Sequence, residues 1–303
     1  MKVEKFSIHS VFSLKNINHR MVLKNYLCQS ESNKTRSMAE KITSLQNPRI
    51  KQVVLLQQKS KERIRQNLIV IEGCREIRWA VEAGFKATAL FFYRELLNEE
   101  SRDVLDLFHA DLQTEVSRDV FAKIAYREGS DGLVILASAI KSTLNDLKLS
   151  ENPLIIVLEA IEKPGNLGAI LRMADAAKVD AILICDPLTD IYNPNVIRSS
   201  IGCVFTQQVV TCSTTEAIAW LKANRIRSFA AALTAKQFYH RVDLTFPSAI
   251  VMGTEADGLT EKWLSAVDEG IIIPMLGKHD SLNVAMATAI ITFEALRQRG
   301  FYQ

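Results

Sequence analysis

Residues 154–177, LIIVLEAIEKPGNLGAILRMADAA, hold the clearest change of pattern in the chain. LIIVLE (154–159) is apolar up to its last residue, as a strand covered on both faces is. KPGN (163–166) is a sharp turn, and after it the apolar residues recur at helical spacing. A buried strand that turns directly into a helix is the first half of a βαβ unit. Arg172 stands on that helix, six residues after Asn166. A charge there is either solvated surface or part of a site.

The alternation continues downstream. Strands are expected at 154–159, 180–184, 206–210, 227–233, 249–252 and 270–273, with helices between them and a last helix over about 282–299. Near-continuous apolar strands of this kind form a parallel sheet with helices on both faces. Upstream, 47–64 reads as a helix, 67–73 as a strand and 74–84 as a helix stopped by Gly84. Residues 87–93, a helix near 101–109, a short strand near 113–117, a helix at 117–124 and a strand at 132–139 complete a second, smaller α/β unit. KSTLNDLKLSENP (141–153) is polar and reads as a linker. The expected organisation is a flexible extension over 1–37, a domain over 38–145 and a domain over 151–303. Met38 reads as a start of the ordered protein, and a chain beginning there is expected to fold and act like the full one.

Composition narrows the function. The 303 residues are 48% apolar, enough for a large core, and no apolar run reaches the length of a membrane span. Five scattered cysteines without a C-x-x-C pair, and five scattered histidines, argue for a reducing, cytoplasmic setting and against a metal site. No signal peptide is visible. Residues 1–150 hold 24 Lys and Arg against 18 Asp and Glu, whereas 151–303 hold 13 against 16. A basic first half points to a polyanionic partner held mainly there. Within it, Arg49, Lys51, Lys59, Lys61, Arg63 and Arg65 face a single acid, Glu62. The run reads as a phosphate-binding surface or as an ordinary solvated helix face.

Three loops each follow an expected strand: EKPGNLGAILR (162–172), MGTEADGL (252–259) and IPMLGKHDSLNVAMA (273–287). Ligands of open α/β sheets bind beyond the carboxyl ends of the strands, so a site belongs at these loops. G-x-G-x-x-G and the P-loop pattern are both missing, which weighs against a dinucleotide oxidoreductase or a P-loop enzyme. Each loop alone has a plain alternative. Asn166 could cap a helix that begins at Leu167, Glu255 could be a turn residue, and Ser281 and Asn283 could only start the last helix.

Together and in this order, the three segments resemble the motifs of the SpoU/TrmH-type RNA 2′-O-ribose methyltransferases of the SPOUT superfamily. SSIGCVF (199–205) fits the family's pattern between the first and second motifs, and the stretch at 63–73 is similar to its accessory domain, an L30e-like RNA-binding unit. The resemblance implies a C-terminal α/β domain with a parallel sheet and a deep trefoil knot, preceded by the small L30e-like α/β domain. It implies S-adenosyl-L-methionine as cofactor, held mainly by backbone at Gly253, Ile273 and Leu282, with Asn283 and Leu233 nearby. Arg172, Asn166, Glu255, Ser281 and Asn283 would surround the reacting ribose, and no metal is implied. Arg49, Lys61, Arg63 and Arg65 would hold RNA. A neutral Arg172 acting as base is costly, so a charged Arg172 that clamps a phosphate, with the phosphate or Glu255 taking the proton, is the easier chemistry. Glu162 stands where many relatives have Asp, which keeps the charge. The implied target is ribosomal RNA of the 23S type, with tRNA or RNA binding without catalysis as the alternatives. The apolar last helix, and the resemblance, imply a homodimer through the C-terminal domain.

Overall fold

The computed structural model describes residues 41–126, 129–254, 257–279 and 281–301. The expectations for residues 1–37 and for Glu255 lie outside the described residues. A first mixed sheet is built from β1 (Lys41–Ile42), β2 (Leu68–Glu72), β3 (Ala87–Phe92), β4 (Gln113–Val116) and β5 (Leu133–Ser138), in the order β1-β4-β3-β5-β2. Around it lie α1 (Pro48–Gln58), α2 (Ser60–Gln66), α3 (Cys74–Glu82), α4 (Glu99–Leu105) and α5 (Arg118–Ile124). A second sheet, parallel throughout, is built from β6 (Leu154–Glu159), β7 (Ala181–Cys185), β8 (Val209–Cys212), β9 (Arg227–Ala231), β10 (Gln237–Phe238), β11 (Ser248–Met252) and β12 (Glu269–Ile272). Its order is β10-β12-β9-β11-β6-β7-β8. Its helices are α6 (Pro164–Ala176), α7 (Pro194–Ser199), α8 (Cys203–Thr206), α9 (Thr214–Ala223), α10 (Glu261–Leu264) and α11 (Val284–Gln298).

Every residue of β6, β7 and β11 is buried, which is why these segments read as unbroken apolar runs. The chain runs outward through β7 and β8, returns to β9 beyond β6, and then inserts β11 between β6 and β9. The carboxyl ends of β6, β11, β9 and β12 therefore stand side by side, and all the loops singled out above open there. The strand expected at 206–210 is displaced, because the chain is helical through Thr206 and the ladder with β7 begins at Val209.

Gly168 sets how α6 lies on α7. A Cβ there would sit 1.9 Å from Ser199 Oγ and 2.8 Å from the Ser200 amide nitrogen, so only a glycine lets the two backbones meet.

The stretch expected as one helix over 47–64 is two. Asn47 caps α1, its side chain accepting from the Arg49 amide at 2.9 Å, and Pro48 follows at the first helical position. Lys59 is extended and breaks the helix. The break turns α2 back so that the Arg63 Nη1 donates to the carbonyls of Leu56 and Gln57 at 2.5 and 3.2 Å, closing the carboxyl end of α1. The Arg63 Nε donates to Asp190 Oδ2 at 2.6 Å, and Arg63 is only 3% exposed. Arg63 is therefore a buried tie between the two sheets, and its expected place on an RNA-facing surface is corrected.

The two sheets also share one apolar core. A continuous cluster runs from Ile69, Ile77 and Phe92 through Leu167, Ile197 and Phe205 to Ile250 and Ile291. Phe85 packs edge-on against Phe205 and Tyr192, with centroids 5.0 and 5.7 Å apart. Tyr192 donates from its hydroxyl to the Ile140 carbonyl at 2.7 Å, and burial, then the nearby Asp190, pushes its phenol above the ordinary range. The polar stretch expected as a linker is docked: Leu144, Leu147 and Leu149 pack against the core on the second sheet, and the Lys148 amide donates to Gln208 Oε1 at 2.8 Å.

Removing Arg63 leaves a carboxylate and two helix-end carbonyls without their donor in a water-poor seam. Arg63→Ala is expected to lower unfolding free energy by about 3–5 kcal/mol, and Arg63→Met, which refills the volume but supplies no donor, by nearly as much. Chemical denaturation of both variants checks this; equal, sub-kcal effects would show that Arg63 behaves as surface.

Candidate active site

The start of α6 lies three residues before the expected one. Lys163 is the N-cap and Pro164 the first helical residue, so Asn166 lies inside the first turn and does not cap it. Its side chain is used differently. Asn283 Nδ2 donates to Asn166 Oδ1 at 3.2 Å, joining the starts of two helices 117 residues apart.

The direction of that bond is set by α11. Asn283 is the N-cap of α11, and its Oδ1 accepts from the Ala285 amide at 3.0 Å. Its remaining group is the Nδ2 donor, so Asn166 must turn its oxygen toward Asn283. The Asn166 Nδ2 is then left buried and without a hydrogen-bond partner among the described residues. A buried donor held in this way is stabilised by a ligand acceptor. Asn166 and Asn283 thus do more than start helices.

Gly253 follows β11. A Cβ there would lie 2.2 Å from the Gly258 carbonyl carbon and 2.5 Å from the Leu259 nitrogen. The loop closes on itself through Thr254 and Gly258, which exchange backbone hydrogen bonds of 2.9 and 3.2 Å. Ile273, just after β12, packs partly into the shared core. Leu233 beyond β9 is 61% exposed, and Leu282, just before α11, is 36% exposed. Ser281 is exposed in the same approach. Apolar side chains open to solvent beside tight backbone turns and an unmatched amide donor suit a ligand with an apolar ring and polar edges. These features fit S-adenosylmethionine.

Glu159 is a residue the sequence reading passed over. It ends β6 with 4% exposure, accepting from the Thr260 amide at 2.8 Å, the Thr260 hydroxyl at 2.7 Å and the Thr214 hydroxyl at 3.3 Å. It pins the base of the Gly253–Gly258 loop to the sheet. An acid closing an all-apolar strand was its only signal.

Arg172 lies six residues beyond Asn166 on α6. Six residues along a helix is about 9 Å of rise and a third of a turn away in rotation. Arg172 is exposed and faces the side of α6 on which α8 packs. Among the expected RNA ligands, Lys61 is exposed, Arg65 is exposed but paired with Glu62 at 2.6 Å, and Arg49 lies 5.1 Å over the buried Phe91 ring. The Arg65 hydrogen bond holds the Glu62 carboxyl below its usual range.

A family model described as the SpoU rRNA Methylase family matches residues 153–293, and one described as an MRM3-like substrate binding domain matches 47–135. A 23S rRNA (uridine(2479)-2′-O)-methyltransferase of Streptomyces viridochromogenes is 29% identical over 269 residues, 86% of this chain and 93% of its own. A crystal structure of an RNA 2′-O ribose methyltransferase is 39% identical with a TM-score of 0.75, covering 86% of this chain and 99% of that one. The AdoMet-bound rRNA methyltransferase from Sinorhizobium meliloti is 29% identical with a TM-score of 0.78, covering 86% and 98%.

The polarity of the asparagine pair can be tested without unfolding it. Asn166→Asp still accepts from Asn283 but has no donor to offer a ligand. Asn283→Asp still caps α11, yet forces Asn166 to reverse its amide. Both are expected to keep the melting temperature within a few degrees and to weaken S-adenosylmethionine binding or methyl transfer about tenfold or more. Calorimetry and single-turnover assays read the two effects; unchanged values for both variants would remove the pair from the site.

Proposed function

Because the chain belongs to the SpoU rRNA methylase family, we propose that it methylates a ribose 2′-hydroxyl of 23S-type ribosomal RNA, with S-adenosylmethionine as methyl donor. The observation that carries this for the chain's own residues is the Asn166–Asn283 lock and the buried donor it leaves unmatched among the described residues. When bound, S-adenosylmethionine supplies an electrophilic methyl group on a sulfonium. Backbone at Gly253, Ile273 and Leu282 would hold it, with Leu233 against its apolar part and Asn283 framing the entrance. The segment 273–283 would thread through the neighbouring loops to make the family's knot.

The hydroxyl is a weak nucleophile and must lose its proton as the new bond forms. Positioning it in line supplies much of the rate. Asn166 donates to an oxygen of the bound ligands and Ser281 lines the ribose. Arg172 keeps its charge and clamps a phosphate of the target strand with its planar fork, which orients the sugar. The proton passes to that phosphate or to Glu255. Lys61, Arg65 and Arg49 add phosphate contacts that raise affinity without reading sequence.

The reaction is expected to proceed in the cytoplasm, on a homodimer. One face of α11 is buried through Val284, Ile291 and Ala295, while Met286, Ile290 and Phe293 are 60%, 36% and 43% exposed along one stripe. A second copy is the occupant a self-complementary apolar stripe takes. No helix among the described residues is long and apolar enough to cross a membrane.

Labelled S-adenosylmethionine and protein-free 23S rRNA test the activity. Label is expected in RNA, at a nucleotide that resists alkaline cleavage because its 2′-oxygen is blocked; no transfer to any ribosomal RNA would sink the proposal. Arg172→Ala is expected to bind S-adenosylmethionine normally and to lose about 10²–10³ in single-turnover rate, with little rescue by Arg172→Lys. Light scattering at micromolar concentration is expected to give a dimer, and Phe293→Arg a monomer; a wild-type monomer contradicts the pairing.

A further inference from the structure

The stretch SSIGCVF (199–205) packs against both halves of the molecule. Gly202 has φ +84, and a Cβ built on it would sit 3.1 Å from Trp79 Cε3 and 3.3 Å from Glu76 Cα. Its backbone therefore lies directly on α3, in a conformation and a space that suit glycine. The single turn of α8 that follows is wedged between α3 and α6. On the α6 side Thr206 Oγ1 and Gln207 Nε2 both donate to Asp175 Oδ1, at 2.9 and 3.2 Å.

An arginine flanks the wedge on each side. Arg75 on α3 lies with its guanidinium 5.8 Å from the centre of the Trp79 ring, and its side chain is 48% exposed. Arg172 on α6 is exposed as well. Both lie near enough to Cys203 on α8 for their charge to act on its thiol. Burial, then Asp175, pushes that thiol up to about 11, and Arg75 and Arg172 act on it in the opposite direction. Among the described residues, the neighbouring acids leave the arginines incompletely matched. Asp175 is already engaged by Thr206 and Gln207, and Glu76 meets only one nitrogen of Arg75, at the long distance of 3.5 Å.

We propose that Arg75 and Arg172 form one phosphate-binding seam, holding two phosphates of the same RNA strand on either side of α8. The Arg75 guanidinium lies over the Trp79 ring, an attraction that restrains it while leaving N–H groups for a phosphate. A helix with its side chains is about 10 Å across, so the two guanidiniums address different phosphates of a passing strand. The first domain thereby takes part in presenting the target ribose, beyond anchoring RNA at α1 and α2. This rests on the methyltransferase reading.

The test measures binding of a protein-free 23S rRNA fragment against salt. Arg75→Ala is expected to lower the slope of log K against log salt by about 0.7–0.9, the loss of one phosphate contact. S-adenosylmethionine affinity should not change. Arg75→Lys keeps a charge and should restore the slope, though not the full affinity, since the stacked fork is gone. Should Arg75→Ala fold poorly, Arg75→Gln keeps the stem over Trp79 and should show the same lost slope. An unchanged slope in Arg75→Ala or Arg75→Gln overturns the seam, as does an equal drop in Arg102→Ala, an exposed arginine on α4. Failure of the methyltransferase reading looks different: the wild-type chain then puts no label into RNA, whatever its slope.

Discussion

The contact at Gly168 governs the placement of everything that acts in this molecule. α6 meets the end of α7 at a separation that no side chain permits. Backbone pressed on backbone fixes the rotation of α6 about its own axis, because interiors pack at the density of solids. That rotation turns Asn166 toward Asn283 and Arg172 toward α8. One glycine thus orients two chemical groups on different faces of the same helix. The approach also commits 199–205 to a tight path, and that path brings Gly202 down on α3.

The amide of Asn283 could have pointed either way, and so could that of Asn166. The Ala285 amide at the start of α11, which has no partner within the helix and takes the Asn283 oxygen, decides for both. A need of the backbone, common to every helix, is transmitted through two side chains into the chemical character of a binding group. The buried Glu159 works in the same spirit, converting the end of a strand into an anchor for the loop opposite.

Much of this was legible in the sequence, for identifiable reasons. β6, β7 and β11 are buried on both faces, and unbroken apolar runs announce such strands without ambiguity. The three loops were recognisable because glycine and polar residues stood just past those runs. β1 and β10 have only two residues each, too few for a period to register, and both owe their strand character to a partner distant in sequence. The start of α6 was misplaced because Asn166 is a good cap by type, while Pro164, two residues earlier, is a good first residue and prevailed. Arg63 was read as surface because its neighbours are charged; its partner Asp190 lies 127 residues away, beyond the reach of local pattern. The side of α6 on which Arg172 falls depends on the approach at Gly168, and no one-dimensional pattern carries that information.

The shared apolar core between the sheets has a consequence for how a target is measured out. A recognition unit on a loose tether searches a volume and tolerates variation in the distance between docking point and reaction point. Here Phe85, Phe205 and Tyr192, the Arg63–Asp190 tie and the docked segment 141–153 leave no tether to swing. The span from α1 to the end of β11 is a fixed length, like the jaws of a set calliper. An RNA is then selected by whether its own fold carries a ribose that far from a strand of phosphates, so discrimination rests on the stiffness of both partners as much as on any contact between them.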